Sequence, residues 1–95
     1  MIQVIDTFTV SSAMIERYPD GSDRLPEGLW VVLAPEQTTD ITPPLAGQTA
    51  VITRPDGTVI ERRINGAEVR HSVLALHFTQ ACADEIPRLS TIDWR

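Results

Sequence analysis

Lysine is absent from this 95-residue chain, so all eight basic residues are arginine, against 13 acidic residues. The formal net charge of −5 argues against non-specific binding to nucleic acid or to anionic membranes, because both depend on neutralising negative charge. The single cysteine, Cys82, cannot form a disulfide within the chain. The sequence holds no apolar run as long as a membrane span and no signal-peptide pattern at its amino terminus. We therefore expect a protein of the reducing cytoplasm.

The composition indicates one small globular domain, residues 1–95, that is built from strands. Hydrophobic residues make up 42% of the chain and charged residues 22%, which is ordinary for a folded domain and argues against disorder. The apolar residues are mostly Val, Ile and Leu, which favour strands. Seven prolines and five glycines in so short a chain indicate many turns.

Short segments with the pattern of strands recur along the chain, separated by turn residues. The first alternates between apolar and polar residues, with a mild interruption at residues 5–6. A second, LWVVLA at residues 29–34, is apolar throughout and fits a strand covered on both faces. Residues 11–28 and 35–47 hold most of the prolines and are predicted to form an inserted loop and a proline-rich connection. The predicted apolar face of the first strand consists of Ile2, Val4, Phe8 and Val10.

The clearest element is a hairpin in which TAVIT and TVIERRI flank a Pro-Asp-Gly loop. Proline presets φ for a turn and Gly57 supplies a left-handed residue, so we expect a three- to four-residue loop closed by a bulge at Gly57. An Asn-Gly step at residues 65–66 bends the returning arm, which continues as a short strand. A second Pro-Asp-Gly, at residues 19–21, has polar flanks and predicts only a turn. SVLALHF and TIDWR predict two further strands.

Together these segments, with no convincing helix among them, predict an all-β sandwich or barrel. Closing the sheet on itself removes exposed strand edges. We therefore expect a small closed or nearly closed antiparallel barrel of six strands.

Residues 45–94 resemble the second domain of translational GTPases, the β-barrel of the elongation factor Tu type. The matching features are a glycine-led strand entering a hairpin, a return strand ending at residues 66–68, an apolar strand, and an acidic loop at residues 84–88 before a closing strand. The resemblance implies a free-standing barrel used as a binding module. These residues contain neither the G-x-x-x-x-G-K-[ST] phosphate loop nor the N-K-x-D guanine motif, so they carry no GTPase site of that kind.

Several residues have chemical potential but follow no catalytic or metal-binding pattern. His71 and His77 lack further metal ligands at a known spacing. Cys82 lacks the flanking signature of a cysteine hydrolase, so we expect a buried or half-buried thiol. The acidic residues at 61, 68, 84 and 85 are expected to be solvated rather than to form a hydrolytic pair. We therefore predict no enzymatic activity, no metal site and no cofactor.

The predicted contact surfaces are the hairpin region at residues 54–71 and the proline-rich connection at residues 35–47. We expect a protein partner or self-association, with binding to RNA or the ribosome as an alternative that the acidic charge disfavours. Neighbouring residues of one strand point to opposite faces, so Arg62 and Arg63 cannot act together. Trp30 and Trp94 are expected to pack in or near the core. The candidate binding residues are Arg54, Arg62, Arg63, Arg70 and His71.

Overall fold

The computed structural model describes residues 1–11 and 25–95. These residues form seven strands and two short 3-10 helical turns, with no α-helix among them, which confirms the all-β prediction. Residues 12–24, which hold the Pro-Asp-Gly of residues 19–21 and most of the predicted inserted loop, lie outside the described residues. The strands are β1 (Ile2–Val10), β2 (Gly28–Leu33), β3 (Thr49–Thr53), β4 (Val59–Arg63), β5 (Gly66–Arg70), β6 (Val73–Phe78) and β7 (Thr91–Trp94), and the 3-10 turns are Pro35–Gln37 and Ala83–Glu85.

The strands form one antiparallel sheet in the order β4-β3-β7-β1-β2-β6-β5. β1 joins the two halves, because Ile2 and Gln3 pair with β7 and the rest of the strand pairs with β2. β4 and β5 lie at opposite ends of this order and do not pair with each other, so the sheet is open. The structure therefore does not confirm closure into a barrel, and the described residues form seven strands rather than the predicted six.

The short strand predicted after the Asn-Gly step forms, but it pairs at the other edge of the sheet instead of continuing the hairpin arm. The Asn65 N–H donates to the His77 carbonyl at 2.8 Å, and its side-chain oxygen accepts the Thr79 N–H at 2.9 Å. These bonds attach the chain to β6 immediately after β4. The following residues consequently form β5, a separate strand on the opposite edge of the sheet.

A bulge in β1 reverses the faces to which its residues point. The pairing with β2 shifts between Val4 and Asp6, which inserts one extra residue into β1. Ile2 and Val4 are buried in the core, whereas Phe8 lies opposite Trp30 on the other face and is 38% exposed. The predicted single apolar face is therefore wrong beyond the bulge, because a one-residue shift inverts the alternation.

The core is formed by alternate residues of the strands, together with apolar side chains from two loops. Each is at most 5% exposed. Burying one such aliphatic or aromatic side chain stabilises the fold by roughly 1.5–3 kcal/mol relative to leaving it in water. The core consists of Ile2, Val4, Leu29, Val31, Leu33, Ala50, Ile52, Ile64, Leu74, Leu76, Phe78, Ile86 and Ile92.

Trp30 is buried on the opposite face of β2, which confirms that this strand is covered on both sides. Its ring stacks on His77, with centroids 4.6 Å apart and planes at 14°. The indole N–H donates to the Pro26 carbonyl at 3.0 Å, and the His77 Nε2 lies 2.8 Å from the Glu27 carbonyl. The segment before β2 is thereby bonded to both rings.

The β3–β4 hairpin has a three-residue loop, in agreement with the predicted three to four residues. The Arg54 N–H donates to the Thr58 carbonyl at 2.8 Å, and the Gly57 N–H donates to the Arg54 carbonyl at 2.9 Å. Gly57 has a φ of 92°, the left-handed conformation expected at the bulge. Asp56 Oδ1 accepts both the N–H and the hydroxyl of Thr58, and these bonds lower the pKa of Asp56.

Candidate functional site

The structure divides the five predicted binding residues between the two ends of the sheet. The β3–β4 hairpin contains Arg54, Arg62 and Arg63. Arg70 and His71 lie at the turn between β5 and β6. As predicted, Arg62 and Arg63 point to opposite faces: Arg62 is half-buried and Arg63 is exposed. The hairpin therefore offers one exposed strand arginine, Arg63.

Arg54 and Arg62 both bind Glu85, which lies in the loop after β6. The Arg54 Nε donates to the Glu85 carbonyl at 2.9 Å. The Arg62 Nε donates to the carboxylate Oε2 at 2.8 Å, and its Nη2 lies 2.5 Å from the same oxygen. These two arginines thus hold the Ala83–Glu85 turn against the hairpin, a role within the chain rather than toward a ligand.

The Cys82 thiol completes this cluster, with its Sγ 3.4 Å from Glu85 Oε1. Hydrogen bonds from Cys82 and from Arg62 lower the pKa of the Glu85 carboxyl below its usual value. The Glu85 carboxylate is therefore hydrogen-bonded within the protein rather than simply solvated, contrary to the sequence prediction. Cys82 is exposed, so the prediction of a buried or half-buried thiol is also wrong.

The remaining charged residues of the edge strands differ in their partners. The Arg70 Nε donates to Glu68 at 3.0 Å within β5, and Arg95 forms an ion pair with Glu61 of β4. Arg63 and His71 are exposed, and neither side chain makes a hydrogen bond or ion pair with the described residues. Of the predicted arginines, Arg63 is therefore the one that the described structure leaves available on a strand.

Along its outer side, the backbone of β4 pairs with no other strand of the described sheet, although the Glu61 carbonyl accepts a hydrogen bond from Arg62 Nη1 at 2.7 Å. Two backbone hydrogen bonds lie at the ends of the β3–β4 ladder: the Arg54 N–H donates to the Thr58 carbonyl, and the Ile64 N–H donates to the Gln48 carbonyl. The direction of hydrogen bonding alternates along an antiparallel strand, so the even-numbered residues from 58 to 64 bond to β3. The N–H and C=O groups that point away from the sheet are those of Val59, Glu61 and Arg63.

The side chains of the same three residues share the outer face of the sheet. Val59 is 57% exposed, and Glu61 and Arg63 are exposed as well. β4 is five residues long and contains neither proline nor a bulge, two devices by which natural proteins block an edge. We call Val59, Glu61 and Arg63, with their outward backbone groups, the β4 edge. Sequence analysis named Arg63 but missed Val59 and Glu61, because a free edge depends on which strands pair.

Several grooves border the described part of the sheet. A first, of about 290 Å³, lies on the outer face of β3 and β7. A second, of about 590 Å³, separates the proline-rich connection from β5 and β6 and places part of the predicted 35–47 surface beside Val69 and Leu74. A third, of about 180 Å³, lies beside Trp30 and Val32 of β2. The lining residues of the first are Met1, Val51, Thr53, Asp93, Trp94 and Arg95.

Metal-binding geometry is not found in the part of the chain that the structure describes: no three His, Cys, Asp or Glu residues there are grouped to hold an ion. His77 is buried against Trp30, while His71 is exposed at a turn. Within residues 1–11 and 25–95, no helix is long and apolar enough to span a membrane.

Comparison with known proteins yields no relative: no protein-family model, no curated protein and no solved structure matches the chain. The resemblance to the second domain of translational GTPases stays a prediction. Function must therefore be argued from the site itself.

Proposed function

We propose that this protein is a non-enzymatic β-sheet module that binds another protein chain, a partner or a second copy, through the β4 edge. The observation that carries the proposal is the run of outward backbone groups at Val59, Glu61 and Arg63. An exposed strand edge is a template for strand addition, in which main-chain hydrogen bonds supply affinity and alternate side chains supply specificity. Val59 offers an apolar contact and Arg63 an unpaired positive charge.

Binding to RNA or the ribosome has less support. Arg54 and Arg62 already donate to Glu85, and Arg70 donates to Glu68. A phosphate would have to displace these acceptors, and the net charge of −5 opposes its approach. We therefore favour a protein partner.

A binding experiment with an edge-blocked variant tests this proposal. Arg63→Pro removes one outward N–H without removing a hydrogen bond of the β3–β4 ladder, and proline is tolerated at such positions. Wild-type protein used as bait should retain a defined protein, or an untagged copy of the chain, that the variant does not retain. Arg88→Ala, which removes an exposed arginine from a loop, is the control and should bind as the wild type does.

The circular dichroism spectrum of Arg63→Pro must match that of the wild type for the comparison to count. Equal retention by wild type and Arg63→Pro would show that β4 is not the contact surface. No retained protein with either bait would argue against a binding role.

A further inference from the structure

We infer that the partner at the β4 edge is a second copy of this chain, paired antiparallel about Arg62, so that Glu61 of each copy faces Arg63 of the other. This inference rests on the proposed function and specifies its partner. It follows from the backbone direction of β4 and from the charges on the outer face of the same strand.

The alternation of the strand limits how two copies can pair. Outward-pointing residues of one strand must oppose outward-pointing residues of the other, because only these direct their N–H and C=O groups away from β3. The Glu61 carbonyl, which accepts a hydrogen bond from Arg62 Nη1 at 2.7 Å, must exchange that bond for one from the second copy. In β4 these residues are Val59, Glu61 and Arg63. A symmetric pair therefore centres on one residue of the strand, and each centre gives a different set of facing side chains.

Charge distinguishes these registers. A pair centred on Glu61 sets that carboxylate against its own copy, and a pair centred on Arg63 does the same with the guanidinium. A pair centred on Ile60 sets Glu61 against Val59 and leaves Arg63 without an acidic partner. Only the centre at Arg62 places Glu61 opposite Arg63 twice, and opposite charges facing each other across strands are favourable, whereas like charges are not.

The residue at the centre is itself compensated. Arg62 would face Arg62 of the second copy, but each guanidinium is bound to Glu85 of its own chain, with Nε 2.8 Å from Oε2. The register about Glu61 would form more backbone hydrogen bonds, but it sets two carboxylates face to face, each bound to Arg95 of its own chain, and it leaves the exposed Arg63 without an acidic partner. The register at Arg62 is therefore the one that gives each Arg63 an acidic partner.

Sedimentation velocity on the purified chain, from micromolar to millimolar concentration, tests the inference through charge reversal. Wild type should form a dimer. Arg63→Glu and Glu61→Arg should each weaken self-association by about tenfold or more, because both facing pairs become like-charged. An equimolar mixture of the two variants should form a heterodimer, since each facing pair then joins a carboxylate of one variant to a guanidinium of the other. This rescue also shows that both variants are folded.

Arg70→Glu is the matched control, because β5 carries the same Glu-x-Arg spacing on the other edge strand and Arg70 binds Glu68 of its own strand. It should dimerise as the wild type does. A wild type that stays monomeric overturns the inference. A dimer that Arg63→Glu leaves unchanged overturns it as well. A different protein captured at the β4 edge, with no self-association, would retain the proposed function and reject only this partner.

Discussion

Gly28 occupies a position where a side chain has no room. Its φ is 137°, a conformation that residues with a Cβ rarely adopt. A Cβ there would lie 2.7 Å from both the His77 Nε2 and the Phe78 carbonyl oxygen. The ring stack of Trp30 on His77 and the start of β2 both depend on this close approach.

Gly28→Ala should therefore lower the free energy of unfolding by about 1–3 kcal/mol, from backbone strain and displacement of His77. Urea denaturation followed by tryptophan fluorescence measures the loss. Gly66→Ala is the control, because a Cβ at Gly66 meets no atom within 4 Å, and its effect should stay below about 0.5 kcal/mol. Equal losses in the two variants would contradict the role of close packing at Gly28.

The Glu85 carboxylate should make the stability of the fold fall as the pH becomes acidic. Its pKa is below the unfolded value of 4.5, owing to hydrogen bonds from Cys82 and Arg62, so the folded state favours the charged form. Its stabilisation is fully present above pH 4.5 and is lost as the pH falls through the lowered folded pKa. Glu85→Gln should be less stable than wild type at pH 7 and should show a shallower loss of stability below pH 4.5.

Thermal unfolding measured between neutral and acidic pH compares the two curves. Asp84→Asn is the control, since its side chain makes no hydrogen bond with the described residues, and it should retain the acid dependence of the wild type. Parallel curves for wild type and Glu85→Gln would remove Glu85 as a source of that dependence.

At the scale of the elements, the structure of β4 predicts that proline costs much more stability at Arg62 than at the neighbouring Arg63. The N–H of Arg62 bonds to β3, whereas that of Arg63 points outward. Relative to alanine at the same position, Arg62→Pro should lower stability by about 1–3 kcal/mol, and Arg63→Pro should lower it by less than about 0.5 kcal/mol in the monomer. Alanine serves as the reference because it removes the guanidinium contacts without removing the N–H.

Chemical denaturation at low protein concentration measures the four variants. A similar cost of proline at both positions would mean that the ladder direction assigned to β4 is wrong. The comparison is independent of any partner and therefore tests the geometry on which the proposals depend.

The sequence predicts the strands well because each is coded locally. TAVIT and TVIERRI carry β-branched residues around turn residues, and the Pro-Asp-Gly loop forms as expected. The single apolar face of β1 was not predictable from the alternation, since one bulged residue inverts it. The open edge was missed because it depends on which distant strands pair, and no local pattern specifies that β5 joins β6 across the sheet from β4.

The candidate site was predicted only in part. Arg63 follows from the alternation of β4, since its neighbour must face the other way. The hydrogen bonds of Arg54 and Arg62 to Glu85 connect segments that are far apart in sequence. Neither composition nor spacing indicated them. The sequence identified which residues carry charge but not which charges the fold neutralises.

For the whole molecule, charge decides between the two classes of partner. With a net charge of −5 and three of the candidate arginines already bound, the protein should not bind single-stranded RNA at physiological ionic strength. Fluorescence anisotropy of a labelled RNA measures this directly. Binding that weakens steeply as salt is added would instead support the RNA-associated alternative.

The position of β1 beside β7 in the middle of the sheet bears on how the protein reaches its native state. These strands lie near opposite ends of the described sequence, yet their pairing at Ile2 and Gln3 unites the two halves of the sheet. During synthesis, β1 has no neighbour on that side until β7 has left the ribosome. Closing so long a loop is slow, so refolding should take milliseconds to seconds, as is typical of proteins whose contacts are mostly remote in sequence.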